Sequence, residues 1–399
     1  MSRLLHLPST MALSPQDELF MRQALDLARH AAALTSPGAR VGAVIVDGQG
    51  QVVGTGSYTF DGIKHAEILA LEQAGARARG GTIYLNLEPH CHQGRTPPCT
   101  DALIAAGIKR VVAAMDDPNP KVAGKGFAQL RAAGIAVEIG LLEAEARRIN
   151  EAFARYILTG LPLVTMKSGM TLDGKIAGPH GGSVNAPIAA DRWITSEESR
   201  AHAQSVRHES DAILAGAGTI FADDPLLTDR TGLPRRRPLL RVVLDSRLRC
   251  PLDSRLVKSA QNDVLIFCSF AEEKKRRALE DRGIRIEQIP PGAGPNNGHP
   301  DLAQIIARLG KLEITSLLIE GGALVNWAAL AAGVVDKIFL YYAPKILAGT
   351  GSIPFAGGEG FSRLSEAAQV SHMVLHRFGE DFAVEGYLRD PYAPQEAHI

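Results

Sequence analysis

His65-Ala66-Glu67, Glu88-Pro89-His90-Cys91 and Gly94-Arg95-Thr96-Pro97-Pro98-Cys99 are the stretches that decide the fold of the first half of the chain. Apolar spacing around them predicts helices over 66–74 and 100–106, so that His65 sits at one helix start and Cys99 opens the next. A helix start offers free N–H groups and a positive dipole end, which favour a thiolate at Cys99. His-x-Glu alone is a weak signal, because it reads equally well as a helix-start histidine beside a solvated glutamate. The Pro-rich segment ending in Cys99, at this distance, changes that balance. Two helix starts converging on one point can hold Zn²⁺ through N and S ligands and leave one position open to water. This is the layout of zinc nucleobase deaminases, in which the glutamate shuttles a proton and is not a ligand.

Working outward, Ser14 reads as an N-cap and Pro15 as the first helical residue, followed by helical spacing from Leu19 to Ala31. Strands are predicted over 41–46, 52–54, 82–87, 110–115 and 135–139, and helices over 127–133 and about 142–157. Alternating strands and helices imply an α/β sandwich of about 145 residues, and the zinc constellation above reads it as a cytidine-deaminase-like α/β/α sandwich. Gly160-Leu161-Pro162 is the seam. The reading divides the chain into a loose tail at 1–14, a zinc-type deaminase domain at 15–147, a helix end and linker at 148–162, and a second α/β domain at 163–399.

The second half carries Lys167-Ser168-Gly169-Met170-Thr171-Leu172-Asp173-Gly174-Lys175, Trp193-Ile194-Thr195, Gly216-Ala217-Gly218-Thr219, Asp223-Asp224-Pro225, Leu244-Asp245-Ser246-Arg247 and Glu320-Gly321-Gly322. Strands are predicted at 163, 212–214, 240–244, 264–268, 317–319, 337–342 and 374–388, with helices near 197–208, from 302, and over 323–331. Gly216-x-Gly218 alone is an ordinary turn. Gly321-Gly322 before a helix is stronger, since glycines let main-chain N–H groups approach a phosphate at a helix N-terminus. The full Gly-x-Gly-x-x-Gly fingerprint is absent, so the domain is not read as a Rossmann fold. Arg207 and Arg230 suit a phosphate, because guanidinium binds oxyanions bidentately. Arg235-Arg236-Arg237 reads as a solvated loop.

Taken together, these motifs and their order resemble the bifunctional riboflavin-biosynthesis deaminase–reductases over nearly the whole chain from about residue 15. Asp117-Pro118-Asn119-Pro120 and Val122-Ala123-Gly124-Lys125-Gly126 fit the same family. The resemblance implies a zinc-type deaminase domain and a dihydrofolate-reductase-like domain that uses NADPH. It places zinc on His65 and Cys99 and proton transfer on Glu67. It puts NADPH against Met170, Trp193, Thr219, Asp223, Ser246 and the run Gly322, Ala323, Leu324, Val325, Asn326, Trp327 and Ala328. It puts a phosphoribosyl pyrimidine substrate against Lys167, Arg207, Leu227, Arg230 and Glu320, and suggests a homodimer or tetramer.

The sequence departs from that family at His90 (usually Cys), at Pro37-Gly38-Ala39 (usually Pro-Asn-Pro) and at Tyr58 (usually His). For the third zinc ligand, His90 is preferred to Cys91. Position 90 directly follows Pro89, adjacent residues of an extended segment point opposite ways, and the shorter Zn–N bond partly offsets the longer side chain. The softer Cys91 thiolate is the competing choice. Residues 184–191 read as an insertion before Trp193.

Bulk composition narrows the function. The 399 residues contain 43 Lys+Arg and 43 Asp+Glu, with only 5% aromatics. Zero net charge argues against a nucleic-acid deaminase with an appended binding module, and against a membrane-surface protein. No apolar run approaches the span of a bilayer, and the first residues lack the pattern of a signal peptide. Four cysteines form no disulfide framework, so a reducing cytoplasm is expected, with Cys250 and Cys268 in the core. Two other readings compete with the bifunctional enzyme. One is a reductase alone, with a degenerate deaminase scaffold. The other is a zinc-stabilised interaction protein.

Overall fold

The computed structural model describes residues 13–179, 193–292 and 298–394. Most of the expected tail and the expected insertion at 184–191 lie outside the described residues. The chain divides into two compact units, the first running to Leu158 and the second from Thr159 to Ala393.

In the first unit, helix α1 (Pro15–His30) begins with a capping box: Asp17 N–H donates to Ser14 Oγ at 3.2 Å, and Ser14 N–H donates to Asp17 Oδ2 at 2.8 Å. Strands β1 (Gly42–Val46), β2 (Val52–Ser57), β3 (Thr82–Leu85), β4 (Arg110–Ala113) and β5 (Ala136–Ile139) form a sheet in the order β2-β1-β3-β4-β5. β1 is antiparallel to both neighbours, and β3, β4 and β5 run parallel. Helices α2 (Ala66–Ala74), α3 (Cys99–Ala106) and α4 (Lys125–Ala132) are joined by α5 (Glu143–Thr159). Ala43, Ile45, Ile83 and Leu85 pack with Ala66, Ala70, Leu103 and Leu130 in one buried cluster. α2 lies unusually close to β2, because a Cβ on Gly56 would come within 2.0 Å of the Ala66 carbonyl oxygen. Only glycine there lets the start of α2, with His65 and Glu67, seat against the sheet.

The second unit contains a nine-stranded sheet. Its strands are β6 (Leu163–Thr171), β8 (Ala212–Gly216), β9 (Leu240–Leu244), β10 (Val264–Cys268), β11 (Ile284–Gln288), β12 (Ser316–Ile319), β13 (Lys337–Ala343), β15 (Ser371–Phe378) and β16 (Asp381–Tyr387). The order is β11-β10-β9-β8-β12-β6-β13-β16-β15, and β7 (Lys175–Ala177) pairs separately with β14 (Ile353–Pro354). All neighbours from β11 to β13 are parallel; β13-β16 and β16-β15 are antiparallel. Helices α6 (Glu197–Glu209), α7 (Ala217–Asp223), α8 (Arg255–Lys258), α9 (Glu273–Glu280), α10 (Leu302–Lys311) and α11 (Ala323–Ala331) connect them. Near-continuous apolar strands such as Val264–Cys268, buried at every position, are what a parallel sheet covered on both faces requires. Cys250 and Cys268 are fully buried, as expected.

Three features differ from the sequence reading. Gly216–Thr219, read as a turn, leads directly into α7. α9 and β11 were not expected: α9 buries only Leu279 among charged residues, too little for an apolar stripe to show. Arg235-Arg236-Arg237 is not a solvated loop. Arg235 donates to the carbonyls of His208 (2.6 Å) and Ser210 (2.7 Å) and to Asp229 Oδ2 (3.2 Å), and Arg237 pairs with Asp211 at 3.3 Å. Bidentate donors here satisfy carbonyls left open at the end of α6.

Candidate active sites

In the first unit the structure brings His65, His90 and Cys99 together, with one ligand atom from each within 4.8 Å of the others. His65 is the N-cap residue of α2, and Cys99 is the first residue of α3. His65 Nδ1 faces Cys99 Sγ at 3.2 Å, and Thr96 Oγ1 lies 3.3 Å from its Nε2. The His65 and His90 rings meet edge-on with centroids 5.1 Å apart. His90 Nδ1 is buried and has no hydrogen-bond partner among the described residues. Such an orphan imidazole nitrogen calls for a ligand. Burial, reinforced by His65 and His92, holds His90 down to about 4, so it is the neutral ring a metal requires. A tetrahedral zinc centre spaces N and S ligand atoms about 3.5 Å apart; His65 Nδ1 and Cys99 Sγ stand at 3.2 Å, and all three ligand atoms lie within 4.8 Å of one another.

Cys91 is not part of the cluster. Glu67, the second residue of α2, is buried beside Cys99. Burial first, and then the Glu67 charge, push the Cys99 thiol far above its ordinary value. The helix-start dipole therefore does not by itself make Cys99 a thiolate; a bound cation would. Two departures from the family pattern touch each other. A Cβ on Gly38 would lie 3.1 Å from the Tyr58 ring, and that ring packs edge-on against His65 at 5.4 Å. A larger residue at 38 and the tyrosine at 58 compete for one space.

Two acidic residues of this unit carry roles the sequence reading did not give them. Glu88 is buried and accepts four main-chain N–H groups, from Asp117, Gly124, Gly126 and Phe127, at 2.8–3.2 Å. It thereby fixes the loop before α4. Burial raises the Asp117 carboxyl to about 7, with the charges of Glu88, Asp116 and Glu67 adding to the effect. Both lie inside stretches the sequence singled out, but no spacing rule marks a loop-anchoring carboxylate.

In the second unit the C-terminal ends of the parallel strands open onto a cleft of about 2230 Å³. Its floor carries a charged triad. Arg207 Nη2 donates to both Glu320 carboxylate oxygens at 2.9 Å, and Lys167 Nζ lies 3.2 Å from Oε2. Burial alone would raise Glu320, but Lys167 and Arg207 prevail and hold it at about 2. Arg207 also donates to the Thr228 carbonyl at 2.7 Å. The segment 224–231 is held at further points: Arg241 donates to Leu226 O, and Asp229 accepts from His208 and Arg235. This segment presents Leu227 and Arg230 to the cleft.

Of the expected cofactor residues, Trp193, Thr219, Asp223, Ser246, Gly322, Ala323, Leu324, Val325, Trp327 and Ala328 line the cleft. Met170 and Asn326 do not. Met170 points into the core from β6, because strand alternation turns it away while Gly169 and Thr171 face the cleft. Asn326 is fully buried and donates to the Phe355 carbonyl at 2.8 Å. Gly321 has a packing reason that differs from the phosphate approach expected of it: a Cβ there would sit 2.8 Å from Val325 and Asn326. Lys345 went unnoticed in the sequence; it borders the cleft and donates to the carbonyls of Trp193 and Ile194 at 3.2 and 2.7 Å.

A half-buried His/His/Cys cluster beside a buried glutamate in one unit, and a cationic cleft at the strand ends of the other, define a two-domain deaminase–reductase. The comparisons carry this to a family. Residues 14–115 match the cytidine and deoxycytidylate deaminase zinc-binding region, and residues 162–384 match the RibD C-terminal domain. The chain is 38% identical over 385 residues to the riboflavin biosynthesis protein RibD of Actinobacillus pleuropneumoniae, covering 96% of this chain and 99% of that protein. It superposes on Acinetobacter baumannii RibD with a TM-score of 0.77 at 33% identity, covering 93% and 98%. A diaminohydroxyphosphoribosylaminopyrimidine deaminase/5-amino-6-(5-phosphoribosylamino)uracil reductase from Thermotoga maritima gives 0.76 at 31%, with the same coverage. The chain belongs to the RibD family of riboflavin-biosynthesis proteins and is a bifunctional deaminase and reductase. A zinc-binding deaminase domain and an NADPH-using reductase domain are the two expected cofactor types. Among the described residues, no helix is long and apolar enough to cross a membrane.

Proposed function

We propose that the first unit removes the exocyclic amino group of a phosphoribosylated diaminopyrimidinone by hydrolysis, and that the second reduces the ribosyl chain of the product to ribityl with NADPH. The observation that carries the first half is the His65–His90–Cys99 cluster with Glu67 buried beside it. His65, His90 and Cys99 would hold zinc, which supplies Lewis-acid activation of water when bound. Glu67 takes up a proton within the site and returns one to the departing amine, the role of the non-ligand glutamate in such sites.

In the second unit, Lys167, Arg207 and Arg230 give the cleft its positive charge, and Glu320 orients the first two. The substrate phosphate pairs with these cations, while the nucleotide lies along Gly322–Val325, Thr219 and Ser246. NADPH supplies the hydride; the chain supplies orientation and exclusion of water. A cytoplasmic homo-oligomer is the setting we infer, from the cysteine usage and the family.

The test is to assay each half-reaction separately on purified full-length protein. Both activities support the proposal. Reduction without deamination would favour a degenerate first unit, the reading suggested by Gly38, Tyr58 and His90.

A further inference from the structure

Trp193, Ile194 and Thr195 form one stretch of the cleft wall, and the carbonyls of all three are taken by cationic side chains. Lys345 Nζ donates to the Trp193 carbonyl at 3.2 Å and to that of Ile194 at 2.7 Å. Arg200 Nη1 donates to the Thr195 carbonyl at 2.6 Å, and its guanidinium stands 4.8 Å from the centre of the Trp193 ring. Charge-assisted bonds of this kind are stronger than neutral ones. Two cations are thus spent on the main chain of one short segment.

The foot of Lys345 is fixed. β13 stays paired with β6 as far as Ala343 and Thr171. Just beyond, Leu172 N–H donates to the Lys345 carbonyl at 2.8 Å, and Lys345 N–H donates to the Ala343 carbonyl at 2.7 Å. Asp173 then accepts the amides of Leu347 at 3.1 Å and Ala348 at 2.8 Å, and is itself held by Thr171 Oγ1 at 2.6 Å. Ala348 takes a left-handed φ of +52°, a turn that the Asp173 bonds secure. Arg200 is equally anchored, since it lies one turn into α6, where the N-cap Ser196 accepts Ser199 N–H at 3.2 Å. Lys345 is an exposed residue, and a lysine held in one place gives up its rotamer freedom. A rigid foot is what makes the reach across the cleft mouth effective.

The clamped segment sits on the strand that carries Lys167. A Cβ on Gly169 would lie 3.1 Å from Thr195 Cγ2, so glycine lets Thr195 rest directly on β6. Gly169 is two residues beyond Lys167 on the same face of the strand, and both line the cleft. Trp193 is 49% exposed. A large ring left that open is not fixed by packing. Its place is set by the polar ties of its own main chain and by the Arg200 guanidinium over its face.

We propose that Lys345, supported by Arg200, is a positioning residue for the reduction: it clamps Trp193–Thr195 against β6 so that this wall of the cleft is in place before the reactants meet. It acts through the segment and not on the reacting atoms. This rests on the proposed reductase reading of the cleft. A misplacement of about 1 Å costs on the order of 100-fold in rate. The cations assigned to the substrate phosphate, Lys167, Arg207 and Arg230, keep their own supports. Loss of Lys345 therefore falls on kcat and spares KM for the phosphorylated substrate.

The test uses full-length Lys345→Met and Lys345→Arg, each checked for an unchanged melting transition and assayed for both half-reactions. The same changes are also made in a Trp327→Phe background, which leaves Trp193 as the single tryptophan for quenching by acrylamide. Lys345→Met is expected to lower kcat of the reduction about 10- to 100-fold, with KM for the phosphorylated substrate within about threefold. Deamination should be unchanged, and the quenching constant of Trp193 should rise at least about twofold. Lys345→Arg keeps a cation with forked donors and should recover most of both losses. Reduction and quenching that stay at wild-type levels in Lys345→Met overturn the clamp, as does a loss that Lys345→Arg shares in full. A rise in KM with kcat unchanged overturns the positioning role. A wild type that deaminates and never reduces sinks the reductase reading itself; the quenching comparison needs no substrate and still decides the clamp.

Discussion

Cys99 donates its main-chain N–H to the carbonyl of His90 at 2.8 Å, so the start of α3 fixes the backbone of the residue that faces His65. Thr100 N–H reaches the same carbonyl at 3.2 Å. Two donors of the helix start, which would otherwise be open, are thus spent on orienting position 90. The bonds do for His90 what a protein scaffold must do for any metal ligand: they remove its freedom before the metal arrives. Position 91 has no such tie into the cluster.

The ligand set follows. His90→Ala should purify with little zinc after zinc-supplemented growth, and Cys91→Ala with close to one equivalent, measured by atomic emission on folded protein. Zinc kept by the first variant and lost by the second would reverse the assignment. One thiolate and two imidazoles leave the zinc unit at about +1, where two thiolates would make it neutral. Weaker retention against a chelator than in a two-cysteine relative is therefore also expected.

Glu67→Gln should lower deamination by on the order of 10²–10⁴-fold, because an amide cannot carry the proton. Zinc content and the reductase rate should stay at wild-type levels, which separates loss of proton transfer from loss of fold. Deamination at the normal rate would remove Glu67 from the chemistry.

How the second unit holds Arg230 gives a prediction about acid stability. Burial alone would raise Asp229, but the Thr231 amide, His208, the Thr231 hydroxyl and Arg235 outweigh it and bring the carboxyl to about 2. A carboxyl lowered in the folded state stabilises the fold above its ordinary value near 3.8, and that contribution is lost as pH falls from there through about 2. Arg235→Ala should lower the melting temperature by a few degrees at pH 7 and by less at pH 3 (differential scanning calorimetry). It should also raise KM for the phosphorylated substrate more than it lowers kcat, since the segment carrying Arg230 loosens. An unchanged KM would confine Arg235 to a structural role.

Much of this was readable in the residues, for reasons that differ from place to place. Ser14 and Pro15 announce α1, and Gly321-Gly322 announces α11, because caps and turns are local chemistry. His65, Glu67 and Cys99 are readable because a metal site demands donors at helix starts. The choice between His90 and Cys91 turns on which way one extended residue faces, and that depends on the carbonyl bond to α3, not on spacing. Met170 and Asn326 look like cofactor neighbours in the linear motif but are turned into the interior by strand and helix phase. Arg235, Arg200 and Lys345 are ordinary charges in the sequence. Only the fold decides that the first is buried in carbonyls and the other two hold a stretch of the cleft wall.

Glu320 supplies the sharpest test of the charged floor. Its carboxylate lies between Arg207 and Lys167, and hydrogen bonds to charged groups contribute about 1.5–3 kcal/mol each. Glu320→Gln keeps the shape and one acceptor oxygen but removes the charge, leaving two cations facing each other across a partly dry cleft. Losing one such bond's worth of orientation corresponds to a fall of about 10- to 150-fold in kcat/KM of the reduction, at about 1.4 kcal/mol per factor of ten. Because the two cations keep the carboxyl at about 2, far below its ordinary 4.5, it remains ionised throughout the working range. Its contribution is therefore complete above pH 4.5 and disappears only as pH falls toward 2. The reductase profile between pH 5 and 9 should then carry no limb from this residue, and the profile of Glu320→Gln should be lower but parallel. A wild-type limb near pH 5 that vanishes in Glu320→Gln would mean that Lys167 and Arg207 do not hold the carboxylate in solution as they do here. Wild-type kcat/KM in the variant would mean that the triad serves the fold and not the substrate.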